Sequence, residues 1–255
     1  MKAMRIVLRV LLIILIFFSI FIGNGAVEKS IIERDIDTFK ARGQFVVEYG
    51  RSSYYLVPKA YDYEDTTHQI LDMDHRTFPG STGDIYITNR NPLPQSLVVG
   101  WLSSIMWMGH CAIVSSEDGS RVIDIVGNQS YEDNIVRELE NDWITRGALN
   151  EEIALIRIKN IDDDMRQSMM SYLQDHIGYR YNYTFLFNRE HTFYCSDLAS
   201  RTAAAAGVGI NYDGLVTTGA DMLISEHTYL IYYREKVIIN NEEKYHIYYL
   251  GEPND

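Results

Sequence analysis

The chain has 255 residues, 46% of them apolar and 23% charged, which fits one globular domain with extensions and excludes a wholly disordered polymer. Its formal charge of −12 leaves no surplus of Lys and Arg for phosphate binding, so no nucleic-acid partner is expected. Two cysteines are too few for a disulfide framework, and no CxxC or Cys/His spacing suited to zinc or a redox pair occurs; no metal and no cofactor is expected.

The amino terminus places Lys2, Arg5 and Arg9 ahead of an apolar run from Val10 to Ile22, followed by Gly23-Asn24-Gly25-Ala26. This is the pattern of an export signal. The run is short for a bilayer span of about 20 residues, and Gly23 and Gly25 only approximate a cleavage site, so cleavage and retention as an anchor both fit. Either outcome puts the folded part outside the cytoplasmic membrane, as the basic residues on the inner side also require. The expected location is extracytoplasmic, secreted or membrane-anchored, with the membrane a partner only if residues 1–26 stay in place. Their loss would take the charge from −12 to −15.

Residues 27 to 79 read as a helical or irregular extension. Val27, Ile31, Ile32, Ile36 and Phe39 stand at helical spacing and Gly43 stops the pattern. The acidic stretch Asp62 to His75 lacks EF-hand spacing and reads as a solvated segment. The core starts near residue 80 and runs to 255, opening with a strand from Gly83 to Thr88 that Asn91-Pro92-Leu93-Pro94 ends. A short apolar helix over Leu97 to Met106 comes next. A hairpin of His110 to Ser115 and Arg121 to Val126 follows, then a strand Ile153 to Ile158. Asp162 to Asp164 suit the start of a helix carrying Met165, Met169, Leu173 and Ile177, with Gly178 at its end. A second helix begins near Cys195 and stops at Gly207. Tyr229 to Leu250, split by Asn240-Asn241, reads as a closing hairpin.

Cys195 lies where the aromatic segment Phe193-Tyr194 turns into an alanine-rich helix. Free amides and the positive dipole end there favour a thiolate and can bind an oxyanion. His110, at the start of a strand, is the candidate base. Its partner depends on hairpin register. A two-residue loop Asp118-Gly119 would turn Asp124 away, whereas a three-residue loop Glu117-Asp118-Gly119 with Gly119 in the left-handed position sets Asp124 opposite Ala112, on the His110 face. The second register is expected, with Asn128 as the reserve acceptor. Strand alternation sends Cys111 to the face opposite His110, so it reads as a core residue, and the same geometry disfavours it as nucleophile and as a bridge to Cys195. Tyr194 and Tyr181 are candidate cleft-lining residues by proximity, together with Ser196. His68, His75, His176, His191, His227 and His246 have no matching context and read as surface or structural residues.

The segments Gly83-Asp84-Ile85, Gly109-His110-Cys111-Ala112-Ile113, Val122-Ile123-Asp124, Gly178-Tyr179-Arg180-Tyr181-Asn182 and Tyr194-Cys195-Ser196-Asp197-Leu198 resemble, in that order, the permuted papain-like enzymes of the YiiX and YaeF type. These are relatives of the NlpC cell-wall peptidases. The resemblance spans roughly residues 80 to 225. It implies an α+β, circularly permuted papain-like (NlpC-like) fold, an antiparallel sheet or partial barrel packed against helices, with the histidine ahead of the cysteine in the chain. By resemblance Cys195 is the nucleophile, His110 the catalytic histidine and Asp124 the third polar residue, a position relatives often fill with glutamate. The expected activity is that of a cysteine peptidase or amidase on cell-wall peptides or other N-acyl compounds. Two rivals stand beside it: a lipid (thio)esterase or acyltransferase on the same fold, disfavoured by Tyr-Cys-Ser-Asp in place of Asn-Cys-Glu-His, and a non-catalytic membrane-tethered binding module.

Overall fold

The structure, a computed structural model, describes residues 2–66, 79–89, 107, 109–127, 133–144, 152–185, 191–211 and 216–252. The expected helix over 97–106, the breaker at 91–94, Asn128, His68 and His75 lie outside the described residues.

One helix, α1 (Lys2–Ala41), runs through both the apolar amino terminus and the amphipathic stretch behind it, without a break at Gly23 or Gly25. Its first half carries exposed apolar side chains, among them Ile6, Leu8, Leu15 and Ile20, and is long and apolar enough to cross a membrane. Its second half buries a stripe of Gly25, Glu28, Ile32, Ile36 and Phe39, the three- and four-residue spacing of a helix docked on one face.

The body is α+β. Nine strands form a mixed, mostly antiparallel sheet in the order β1-β2-β11-β10-β7-β3-β4-β5-β6. They are β1 (Gln44–Tyr49), β2 (Ser52–Pro58), β3 (Ile85–Thr88), β4 (Cys111–Val114), β5 (Arg121–Asp124), β6 (Arg137–Glu140), β7 (Ile153–Ile158), β10 (Thr228–Ile239) and β11 (Glu242–Gly251). Only the β2–β11 pair is parallel. A small parallel pair, β8 (Arg180–Tyr181) with β9 (Thr192–Phe193), lies apart from it. The helices α2 (Asp163–Asp175), α3 (Cys195–Ala205) and α4 (Gly219–Ile224) complete the described elements.

Local chemistry accounts for several of these boundaries. Asp162 caps α2 by accepting from the Met165 amide at 2.8 Å, and Met169 and Leu173 sink into the core beneath it. Asn240 and Asn241 both adopt positive φ, 54° and 64°, which gives the two-residue β10–β11 turn the right twist. The extension needs correction. Residues 44–58 form a hairpin that joins the main sheet through β11, so this stretch belongs to the body. Every residue of β1 is exposed, so the strand shows none of the alternation by which a half-buried strand is recognised. The acidic stretch is likewise partly structural: buried Glu64 takes a bidentate hydrogen bond from Arg42 at 2.7 and 3.0 Å and accepts from the Ala60 and Tyr61 amides.

Pairing assigns side chains to two faces. Ile85, Ile87, Cys111 and Ile113 point one way; Tyr86, Ala112 and Asp124 point the other. Deep under the second face Arg157 makes a bidentate ion pair with Asp84, at 2.7 and 2.8 Å, both side chains fully buried. Asp84 also accepts from the Ser81 amide, which ties the entry to β3 to β7.

Candidate active site

Cys195 is the first residue of α3. Its approach is extended: Tyr194 has φ −108° and ψ 167° and offers no side-chain cap, so no side chain of the capping residue occupies the first-turn amides. The turn is pinned from below. Ser196 Oγ donates to the Thr217 carbonyl at 2.7 Å, and the Thr217 amide donates to the Tyr194 hydroxyl at 3.1 Å. Tyr194, Ser196 and Asp197 are buried while Cys195 is partly exposed, which leaves the thiol as the open group of the turn.

His110 reaches the same point from the residue preceding β4. The hairpin takes the three-residue loop: Ala112 lies opposite Asp124, Ile113 opposite Ile123, and Gly119 has φ +71°. That register brings His110 Nε2 to 3.0 Å from Asp124 Oδ2, with the carboxylate buried. The imidazole also stands beside Cys195, close enough for that group to raise it. With Nε2 committed to Asp124, Nδ1 is the nitrogen left for the sulfur. Arg137 on β6 stands 3.9 Å behind the other Asp124 oxygen. Burial alone would push the imidazole down. The hydrogen bonds to Asp124 and Cys195 and the charges of both outweigh it and raise the group to about 9.

The expectation for Cys111 is overturned in part. It is a buried core residue on the face opposite His110, as alternation requires, yet its thiol touches Cys195. Alternation separates side chains along a strand but says nothing about a group beyond the strand's end. The start of α3 sits at that end, where Cys195 meets Cys111 on one face and His110 on the other. The hydrogen bond from the Cys111 thiol is the foremost influence holding the Cys195 thiol well below its ordinary value. Burial opposes it; the hydrogen bond and charge of His110 and the Cys111 amide add to it. Cys111 is driven the other way, well above its ordinary value, by its bond to Cys195 and by burial.

The remaining candidates divide. Tyr181 stands close enough for the Cys195 charge to raise its phenol, behind the larger effect of burial, and packs against Tyr183 and Phe185. Ser196 and Tyr194 are not free to line a cleft, because both side chains are spent on Thr217 as described; proximity in sequence to a nucleophile does not distinguish a lining residue from a brace. His176 bonds the Tyr172 carbonyl within an aromatic cluster, and His227 and His246 lie beside Glu226 and Glu235, away from Cys195. Among the described residues no group of three His, Cys, Asp or Glu side chains is placed to hold a metal ion. A cleft between α1 and the start of β10, lined by Phe39, Arg42, Tyr63 and Tyr229, lies well away from this site.

Two residues that the sequence does not single out shape the site. Trp143 stacks on His110, ring centroids 5.4 Å apart and planes 17° apart, and on Tyr86 behind it. Asn141 sets it there, accepting from the Trp143 amide and donating to the Gly119 carbonyl. Gly127 is the second: a Cβ there would lie 2.7 Å from the Tyr181 ring. Neither residue follows a periodic pattern that would expose its role.

No protein-family model and no curated protein sequence matches the chain. A solved structure, that of the metalloprotein yiiX from Escherichia coli O157:H7, aligns with a TM-score of 0.45 and 14% identity, over 59% of this chain and 96% of that one.

Proposed function

We propose that this protein is a membrane-anchored or exported thiol hydrolase of permuted papain-like type that cleaves an amide bond, in cell-wall peptides or other N-acyl compounds. One observation carries the reading: a single imidazole, His110, bonds a buried carboxylate, Asp124, and stands beside a partly exposed cysteine at a helix start. In this reading the Cys195 thiolate attacks the carbonyl carbon, and the first-turn amides of α3 hold the oxyanion. The His110 imidazolium gives its proton to the leaving amine, leaving a thioester. Neutral His110 then takes a proton from water, whose hydroxide releases the carboxylic acid and regenerates Cys195. Asp124 keeps Nδ1 aimed at the sulfur throughout.

A second reading, hydrolysis of lipid esters or thioesters, is favoured by the first half of α1, which is long and apolar enough to cross a membrane. Packing of α1 on the body continues to Gly25, just short of the apolar run, so a bilayer holding that run would lie beside the body. The deciding experiment incubates the protein and its Cys195→Ala variant with muropeptides and with vesicle-borne acyl esters, and follows products by mass spectrometry. Cleavage of muropeptides by the parent alone is expected. Cleavage of the esters alone selects the second reading, and cleavage by both proteins, or by neither, rejects Cys195 as nucleophile for these substrates.

A further inference from the structure

The contact between Cys111 and Cys195 is more than a core residue touching a nucleophile. Both thiols are free, the helix that Cys195 opens packs on the strand that Cys111 opens, and the two groups are close enough to perturb each other. They differ in access: Cys195 is partly open, whereas Cys111 is 3% exposed and enclosed between β3 and α3. An oxidant from solvent therefore meets Cys195 before Cys111. The two sulfurs must close to about 2 Å to form a bond.

We propose that Cys111 and Cys195 form a reversible redox pair in which a hydroperoxide oxidises Cys195 and Cys111 resolves it to a disulfide, switching the site off. The Cys195 thiolate attacks a peroxide oxygen: a sulfur–oxygen bond forms, the oxygen–oxygen bond breaks, and hydroxide or alkoxide leaves. The Cys111 sulfur then attacks the Cys195 sulfenic acid. A sulfur–sulfur bond forms, the sulfur–oxygen bond breaks, and the departing hydroxide takes the Cys111 proton as water. The two thiols together lose two electrons, and the peroxide gains them. Without Cys111 the sulfenic acid stays open to further peroxide and goes on to sulfinic acid, which thiols do not reverse. The pair thus both inactivates and protects the nucleophile. This rests on the reading of Cys195 as an ionised nucleophile.

The test uses the full chain in detergent micelles, with Cys111→Ala and, should that variant misfold, Cys111→Val, which suits a buried strand. Each reduced protein is treated with hydrogen peroxide, mapped by mass spectrometry, and assayed for iodoacetamide alkylation of Cys195 before and after dithiothreitol. For the parent we expect a linked Cys111–Cys195 peptide, loss of alkylation, and its recovery with dithiothreitol. For the variants we expect a sulfenic acid trapped by dimedone, then sulfinic acid and no recovery. If Cys195 alkylates fast before treatment but parent and variants both proceed to sulfinic acid, the redox pair is overturned and the nucleophile stands. If Cys195 alkylates no faster than free cysteine and no linked peptide forms, both fall.

Discussion

Replacing Asp124 by asparagine keeps the size of the side chain and removes its charge, at the residue that bonds His110 Nε2. The two atoms are 3.0 Å apart, and the carboxylate is 1% exposed, so solvent does little to screen the pair. A hydrogen bond to a charged group contributes about 1.5–3 kcal/mol, and one pKa unit corresponds to about 1.4 kcal/mol. The substitution should therefore lower the imidazole by about one to two units. From about 9 in the parent, it would come to titrate at about 7 to 8 in the variant. Because the imidazolium is one of the groups that hold the Cys195 thiol down, the thiol rises as the imidazole falls. The assay is the rate of iodoacetamide alkylation of Cys195 against pH, read by mass spectrometry, beside the titration of the His110 ring carbon by NMR. The variant's alkylation limb should move upward by about one unit with an unchanged circular dichroism spectrum. Coincident limbs in the two proteins, or an unmoved His110 titration, would refute the argument that Asp124 sustains the ion pair.

Three further outcomes follow from the same geometry. In the proposed ion pair the imidazole holds a proton that the thiol has released. In the unfolded chain between about pH 6.5 and 8.5 the thiol keeps it, so the proton counts match and the pair adds no pH slope to stability. Cys195→Ala leaves His110 with Asp124 alone: the folded state then binds the extra proton, and stability present below about pH 6.5 should fall as pH rises, by at most about 1.4 kcal/mol per unit. Urea denaturation at intervals across that range measures it, and equal slopes in both proteins count against the ion pair. Arg157→Met strands the buried Asp84 carboxylate and should cost about 3–5 kcal/mol in urea denaturation, with much of it recovered in the double variant Asp84→Leu/Arg157→Met. Ser196→Ala removes the bond to the Thr217 carbonyl; it should lower stability by about 1 kcal/mol and leave KM for any cleaved substrate unchanged, whereas a raised KM would restore Ser196 to the cleft.

How far the sequence speaks depends on whether a feature is local. The β10–β11 hairpin is legible because two asparagines in succession suit positive φ, and the β4–β5 register because a glycine in the third loop position selects one pairing over the other. Asp124 follows from that register without any knowledge of the rest of the chain. Helix α2 is announced by its cap and its stripe of Met169 and Leu173. By contrast β1 and β6 are short strands with no buried alternation, and Trp143 depends on Asn141 bonding a turn 22 residues away. Ser196 and Tyr194 acquire their bracing role from Thr217, on a segment that meets α3 only in the folded chain.

Cys111 marks the point at which a correct local rule yields an incorrect exclusion. Period-two alternation does send Cys111 and His110 to opposite faces, and both stay where it puts them. What the rule lacks is the position of α3, whose first residue stands off the end of β4 and so touches both. That placement gives Cys195 two neighbours of different kinds, an imidazole and a second thiol. In the proposed reaction the Cys111 donor stabilises the thiolate at rest and is lost when the sulfur becomes a thioester, so it lowers the ground state more than the transition state. On that reading Cys111 restrains reactivity as well as supporting ionisation, and the oxidative use argued above gives it a second role beside the same sulfur.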